Sequence, residues 1–216
     1  MQPGAAGDEN RTFIETARRA QIVAAAIDTI AEVGYARASF ARIAERLRIS
    51  PGLISYHFAG KDDLISQVVH DVVQQGMAYM RPRIVAHSTG PAILRAYIES
   101  NLAYMSEHRK ELIAIVEIAR APDGRRIFYG DSDVDDAVRA LEHLLADFQK
   151  AGQFRPDFTP RAMAVTIRAV IDAVPSRLAL NPALDIDSYA KEIATAFELA
   201  TRIEIRPRPC SPHPRS

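Results

Sequence analysis

Cysteine is nearly absent: Cys210 is the only one among 216 residues. That excludes an intramolecular disulfide framework and a zinc site built on clustered thiolates. Long apolar runs are absent too. No segment reaches the roughly 20 apolar residues that a membrane helix needs, and the opening MQPGAAGDENRT lacks the apolar core of a secretory signal. A reducing cytoplasm is the expected location, with no membrane partner. Asn10-Arg11-Thr12 fits the glycosylation pattern, but without an export signal the match carries no meaning. Charge of one sign is not in excess: 27 Lys and Arg face 27 Asp and Glu. Bulk charge therefore gives no reason to expect a nucleic-acid partner. There is no Gly-rich phosphate loop, no G-x-S-x-G elbow and no histidine pair at metal-ligand spacing. His70, His87, His108 and His143 are scattered. These absences argue against an enzyme, and no catalytic residue, cofactor or metal ligand is expected.

What is present is helical periodicity almost everywhere, without an alternating strand series or an internal repeat. The fold class is all-α. Residues 1–10 are small and polar, and 206–216 are rich in proline with no apolar face; both are expected to be disordered. Between them, 11–61 reads as a small helical head and 62–205 as a larger helical body. In the head, Ile22, Val23, Ala26, Ile27 and Ile30 form one stripe, with Gly34 as its stop. Phe40, Ile43, Ala44 and Leu47 form a second, with Ser39 as N-cap. A short third helix spans about 51–58, with Ser50 as cap and Pro51 in the first turn. In the body, helices are expected near 62–85, 91–107, 109–120, 133–151, 160–181 and 187–205. Pro82 is expected to kink or end the first, and Pro122-Asp123-Gly124 to break the chain.

Helix, short turn, short helix is the geometry of a helix-turn-helix. Ile54 and Phe58 are four residues apart and anchor the second helix of the pair. That turns Pro51, Gly52, Leu53, Ser55, Tyr56 and His57 toward the opposite side, where a DNA groove could accept them. Charge agrees. Residues 11–61 hold eight basic and four acidic side chains, a net +4, and the remaining nineteen basic and twenty-three acidic residues give −4. A neutral chain is thus split into a basic head and an acidic body, and phosphate neutralisation supplies most non-specific DNA affinity.

The stretch from Arg19 to Leu64, RAQIVAAAIDTIAEVGYARASFARIAERLRISPGLISYHFAGKDDL, resembles the TetR family of regulators. The matching features come in order: an alanine-rich first helix, Gly34-Tyr35, Ser39, Ile43-Ala44, Ser50, Gly52, His57-Phe58 and Lys61…Leu64. Two positions depart from that pattern. Arg48 stands where the turn commonly begins with glycine, and Ser55 stands where tyrosine is common, the aromatic here being Tyr56. The resemblance implies that Ser39 and Lys61 hold phosphates, while Gly52, Leu53, Ser55, Tyr56 and His57 lie in or beside the major groove, with Ser50 and Pro51 at the helix start. Arg48, beside the groove, is a further phosphate candidate. None of these is a bidentate guanine or adenine reader. Specificity is expected to lean on apolar contact, shape and backbone positioning.

No motif beyond about residue 65 is specific. The last two helices read as a dimer interface through Ile167, Ile171, Val174 and Leu178, then Ile193, Phe197 and Ala200. Val165, Ala169 and Ala173 add apolar surface on another face, and a helix apolar around so much of its girth needs more than one cover. The resemblance implies a two-fold homodimer that presents its recognition helices roughly 34 Å apart, one DNA turn, to a double-stranded, roughly palindromic operator. It also implies a small-molecule effector. Tyr97, Asn101, Tyr104, Glu117, Phe128, Phe148 and Arg168, with Met105, Tyr129 and Met163, supply a plausible apolar pocket with sparse polar groups. Glu117 interrupts an apolar helix, so it needs a partner if buried; Arg120, or Arg168 with Asp172, is available. A helical protein-interaction module is the rival reading, but it would need neither Lys61 nor the basic head.

Overall fold

The computed structural model describes residues 5–128, 133–181 and 183–203, so the expected loose tail, residues 1–4 and Tyr129 lie outside it. Among the described residues there are ten α-helices, one 3-10 turn and no strand. Among the described residues no helix is long and apolar enough to cross a membrane.

The first helix, α1 (Ala5–Val33), starts before the predicted Arg11, so the polar residues from Ala5 onward are helical, not loose. It stops at Gly34, whose φ of 81° suits only glycine, and the Gly34 N–H donates to the Ile30 carbonyl at 2.8 Å. A 3-10 turn over Tyr35–Arg37 buries the Tyr35 ring. Then come α2 (Phe40–Leu47) and α3 (Pro51–His57), each opened by the predicted serine. The Ser39 oxygen accepts from the Arg42 N–H at 3.4 Å, and the Ser50 oxygen accepts from the Leu53 N–H at 3.3 Å. Between them, the Ile49 N–H reaches back to the Ala44 carbonyl at 3.0 Å and the Arg48 N–H to Glu45 at 3.1 Å. This is a Schellman closure, which requires a left-handed residue. Arg48 fills it with φ 55° and ψ 43°. That geometry explains why glycine is common at this point in the related pattern.

Helix α4 (Lys61–Val85) runs through Pro82 for a further three residues rather than ending there. It is followed by α5 (Gly90–Glu107), α6 (Arg109–Arg120), α7 (Pro122–Phe128), α8 (Asp133–Lys150), α9 (Pro160–Leu180) and α10 (Ile186–Thr201). The helix α7 replaces the predicted break. Pro122 suits a first helical position, where no N–H is needed. At Gly124 a side chain is impossible, since a Cβ would lie 2.3 Å from the Ile118 carbonyl oxygen, so α7 folds tightly back on α6.

Two apolar cores result. The first joins Ile22 to Ile30 of α1, Ile43 and Ala44 of α2, Ile54 and Phe58, and Leu64 to Val72 of α4. Ala114 and Ile118 of α6 belong to it, so a body helix completes the head. The second joins Leu94, Ile98 and Leu102 of α5 with Leu141, Leu145 and Phe154, the inner face of α9, and Ile186 to Ala194 of α10. Helix α4 links the two. Its first half lies in the head core, and its Gly76 lets α5 approach closely enough for the Tyr104 ring to pack where a Cβ would sit, 3.3 Å away.

Candidate nucleic-acid interface

Helix α3 has seven residues, far too few to be stable alone. Ile54 (0% exposed) and Phe58 (1%) fix it to the head core. The opposite face is the predicted one: Pro51, Gly52, Ser55 and Tyr56 are exposed, and Leu53 and His57 are half-buried. Tyr56 protrudes furthest, 72% exposed, with its ring edge-on to His57 at 5.0 Å. The Ser55 hydroxyl donates to the Pro51 carbonyl at 3.4 Å. Ser39 and Ser50 use their oxygens as caps, which leaves each hydroxyl hydrogen available to a phosphate.

The C-terminal end of α3 is held by Arg19 of α1. Its guanidinium donates to the His57 carbonyl, lies over the Phe58 ring at 4.2 Å, and reaches Gln67 Oε1 at 3.4 Å. A cation is favourable at a helix C-terminus. The sequence reading counted Arg19 only as head charge, although a basic residue able to reach the end of so short a helix was a signal.

The other head cations differ in what holds them. Arg46 is neutralised on α1 by Glu32, with Asp28 at 3.9 Å, and Asp28 also accepts from Lys110 of α6 at 2.7 Å. Arg42 and Arg48 are exposed and have no side-chain partner among the described residues. Lys61 is engaged. Its Nζ donates to the Tyr35 carbonyl at 2.7 Å and sits over the Tyr35 ring at 4.0 Å. Burial pulls its pKa down, opposed by the nearby Asp123 and Asp62 carboxylates. The expected phosphate lysine is therefore folded back onto the turn before α2.

The expected pocket residues are brought together only in part: Tyr97, Met105, Phe148 and Met163 pack against the second core. Tyr97 and Arg168 do meet: Arg168 Nη1 donates to the Tyr97 hydroxyl oxygen at 3.0 Å, and its other terminal nitrogen pairs with Asp172. Asn101 is buried but bonds within its own helix, to the Tyr97 carbonyl at 3.1 Å. Tyr104 faces α4, donating to the Val72 carbonyl at 3.1 Å and stacking on His108 at 4.3 Å. Burial pushes its phenol up to about 12. Glu117 lies at the head–body junction, where a Gly34 Cβ would come within 3.0 Å of it, and its partner is Arg120 at 4.0 Å. Phe148 packs on the backbone of Gly90. The Phe128 side chain lies outside the described residues. An open groove of about 260 Å³ is instead lined by Arg177, Leu180, Asn181, Leu184 and Tyr189.

The residues expected at a dimer interface pack within this chain. Ile167, Ile171 and Val174 are fully buried, and Leu178 and Ile193 nearly so, all within this chain's own second core. Phe197 packs against the same core. The Ala200 carbonyl accepts from Arg155 Nε at 2.6 Å. The most continuous apolar stripe of α9 went to the internal core, as its length and regularity favour. Other apolar side chains remain exposed: Val165 (46% exposed), Ala169 and Leu180 on α9, and Leu199 (55%) on α10.

Comparison with known proteins agrees with this geometry. Residues 22–68 match the family described as bacterial regulatory proteins, tetR family. The HTH-type transcriptional regulator BetI of Paraburkholderia phytofirmans is 31% identical over 169 residues, covering 76% of this chain and 83% of that protein. The chain belongs to the TetR family. It is a DNA-binding transcriptional regulator, not an enzyme. Among solved structures, the fatty acid degradation regulator FadR of Bacillus halodurans shares the fold, with a TM-score of 0.73 at 19% identity over 86% of this chain and 97% of that one. FadR of Bacillus subtilis, solved in complex with stearoyl-CoA, gives 0.70 at 19% identity over 81% and 95%. The family model matches only the head, while the likeness to BetI extends over 76% of the chain and so into the body.

Proposed function

We propose that this TetR-family protein is a cytoplasmic repressor that binds an inverted-repeat operator as a two-fold dimer and is released by a mostly apolar small molecule. The observation that carries the reading is the sidedness of α3. Ile54 and Phe58 are sunk in the head core while Tyr56 stands clear of the surface, flanked by two capping serines and the unpaired Arg42 and Arg48. Tyr56 and Leu53 offer apolar contact to thymine methyls, and the serines and arginines position the helix on phosphates.

The dimer reading rests on Val165, Ala169 and Leu199. These exposed apolar side chains on the last two helices need a cover. The effector reading rests on the Tyr97–Arg168 pair in the body, whose second core is also covered by the half-buried Met105, Leu112 and Met163. A guanidinium there suits a ligand with an anionic group on an apolar body, and FadR of Bacillus subtilis has a neighbouring fold bound to stearoyl-CoA. Release works by population shift. A ligand that binds more tightly to one arrangement of α4 changes the spacing of the two heads.

Selection of duplexes from a random-sequence pool tests this. The expected product is an inverted repeat whose half-sites lie one helical turn, or a multiple of it, apart. A single asymmetric site bound by one chain would reject the dimer reading. Stearoyl-CoA is then added at saturation; unchanged affinity for the selected duplex would reject the acyl-ligand reading.

A further inference from the structure

Helix α3 is so short that a few contacts decide its angle as well as its depth. Ile54 and Phe58 lie on one stripe and sink into the head core, but apolar contact has no direction, so it leaves the roll of the helix open. Hydrogen bonds supply the direction. Only Phe58, Ala59 and Gly60 separate α3 from α4, and the Ala59 N–H donates to Asp63 Oδ2 of the first α4 turn at 2.9 Å. A second tie comes from Arg19, a half-buried residue of α1. Its Nη1 donates to the His57 carbonyl, the last of α3, and its guanidinium carbon lies over the Phe58 ring at 4.2 Å. Its Nη2 donates to Gln67 Oε1 of α4 at 3.4 Å. Gln67 is itself oriented. Its Nε2 donates to Asp71 Oδ1 at 2.8 Å, and an ionised carboxylate only accepts, so the amide oxygen is left to face Arg19. Asp71, Gln67, Arg19 and the His57 carbonyl thus form a continuous polar chain from α4 to the end of α3.

The residue held at that end is the neighbour of Tyr56. The Tyr56 and His57 rings stand edge-on at 5.0 Å, so a change in the last turn of α3 moves both. Seven residues span only about 10 Å of helix, and a tilt of that last turn passes directly to the side chain that protrudes furthest. An arginine suits the task, because its planar fork bonds two partners while stacking on a ring, which a lysine ammonium cannot do. We propose that Arg19 is a positioning residue for DNA reading: by joining the last turn of α3 to α4, it sets the angle at which Tyr56 enters the groove and makes that angle follow α4. The inference rests on the reading of Tyr56 as a groove contact. It gives any movement of α4 a second consequence. Besides the spacing of the two heads, the pose of each reading helix changes.

Double-mutant cycles on the full chain test it, with a duplex recovered by selection from a random pool and an unrelated duplex, each titrated at several salt concentrations. The readout is the preference, the ratio of the two affinities, which loss of folded protein leaves unchanged. Arg19→Met keeps the apolar stem and removes the donors. It is expected to lower the preference roughly tenfold, the scale of one lost base-pair contact, with the slope of log K against log salt unchanged. Gln67→Leu leaves Arg19 in place, cuts its link to α4, and keeps the test open if Arg19→Met does not fold. It is expected to lower the preference about threefold, a smaller loss because the His57 bond survives, and to add nothing in the Arg19→Met background. In a Tyr56→Ala background neither change is expected to lower the preference further. An unchanged preference in Arg19→Met leaves Arg19 a merely structural residue and overturns the proposal. An equal loss with and without Tyr56 overturns it too, as does a slope lowered by roughly 0.9, which would make Arg19 a phosphate contact itself. An unchanged preference in Gln67→Leu overturns the link to α4. If Tyr56→Ala alone leaves the preference unchanged, it is the reading of Tyr56 that fails, and the inference falls with it.

Discussion

The head and the body of this chain reach stability in different ways. The head relies on helices of eight and seven residues, each opened by a serine cap and tied to one core by two or three side chains. Helices this short do not persist in isolation. Every position in them is therefore assigned to a cap, an anchor, a turn or an outward face, and little can be exchanged. The body uses helices of up to 25 residues that are apolar on more than one side. Its faces are divided among an internal core, the α4–α5 contact and the surface left around Val165. The comparison teaches that in the head nearly every position is assigned by a cap, an anchor or a turn, while the longer body helices carry apolar residues on more than one face.

The largest expected effect separates the two cores. Phe58→Ala should cost about 3–5 kcal/mol, the usual range for a buried phenylalanine, and abolish operator binding, because Phe58 holds the end of α3. Phe154→Ala should cost a similar amount in the body, yet the folded fraction should still bind the operator. Denaturant midpoints and duplex titrations measure both. Loss of specific binding in both variants to the same degree, beyond the loss of folded protein, would break the comparison.

Next comes assembly. Val165→Asp should convert a dimer to a monomer in sedimentation and weaken operator binding by about 100-fold or more through lost bivalency, with the monomer still folded because Val165 is outside the core. A persisting dimer would place the interface elsewhere.

These two tests also mark how far the sequence could be read. The caps Ser39 and Ser50, the anchors Ile54 and Phe58, and the outward set around Tyr56 were legible because short capped helices leave one workable orientation. The sidedness of α9 was not. Ile167 and Ile171 on one stripe and Val165 and Ala169 on another are equally apolar, and only the packing of α5 and α8 decides which is internal. Glu117 does pair with Arg120, one of the partners expected for it, but at the hinge beside Gly34, and Tyr104 bonds the carbonyl of Val72; the sequence could not say on which side of the body either would lie. Arg48 was seen as a departure, though its left-handed backbone was not anticipated.

Smaller effects follow. Tyr104→Phe removes the bond to the Val72 carbonyl and should cost about 1 kcal/mol, the net value of a typical hydrogen bond. Its phenol is raised by burial from 10.0 to about 12, so the neutral form is favoured in the fold. That contribution is fully present below pH 10, is lost as pH rises toward about 12, and should vanish from the alkaline stability profile of the variant. Smallest of all, Arg48→Gly should stabilise the head by about 0.5–1 kcal/mol by relieving the left-handed residue, while slightly weakening DNA binding through the lost charge. Thermal unfolding and titration together would show the opposed signs.

The most direct test of the account is the salt dependence of binding to a selected duplex, compared between the parent and Tyr56→Ala. Log affinity should fall linearly with log salt for both, with a slope set by the cations that neutralise phosphates. Tyr56→Ala should lose affinity for the selected duplex relative to an unrelated one while keeping nearly the same slope, because Tyr56 reads the groove rather than the backbone. Binding that is absent, insensitive to salt, or unaffected in its preference by Tyr56→Ala would contradict the assignment of α3 as the reading surface.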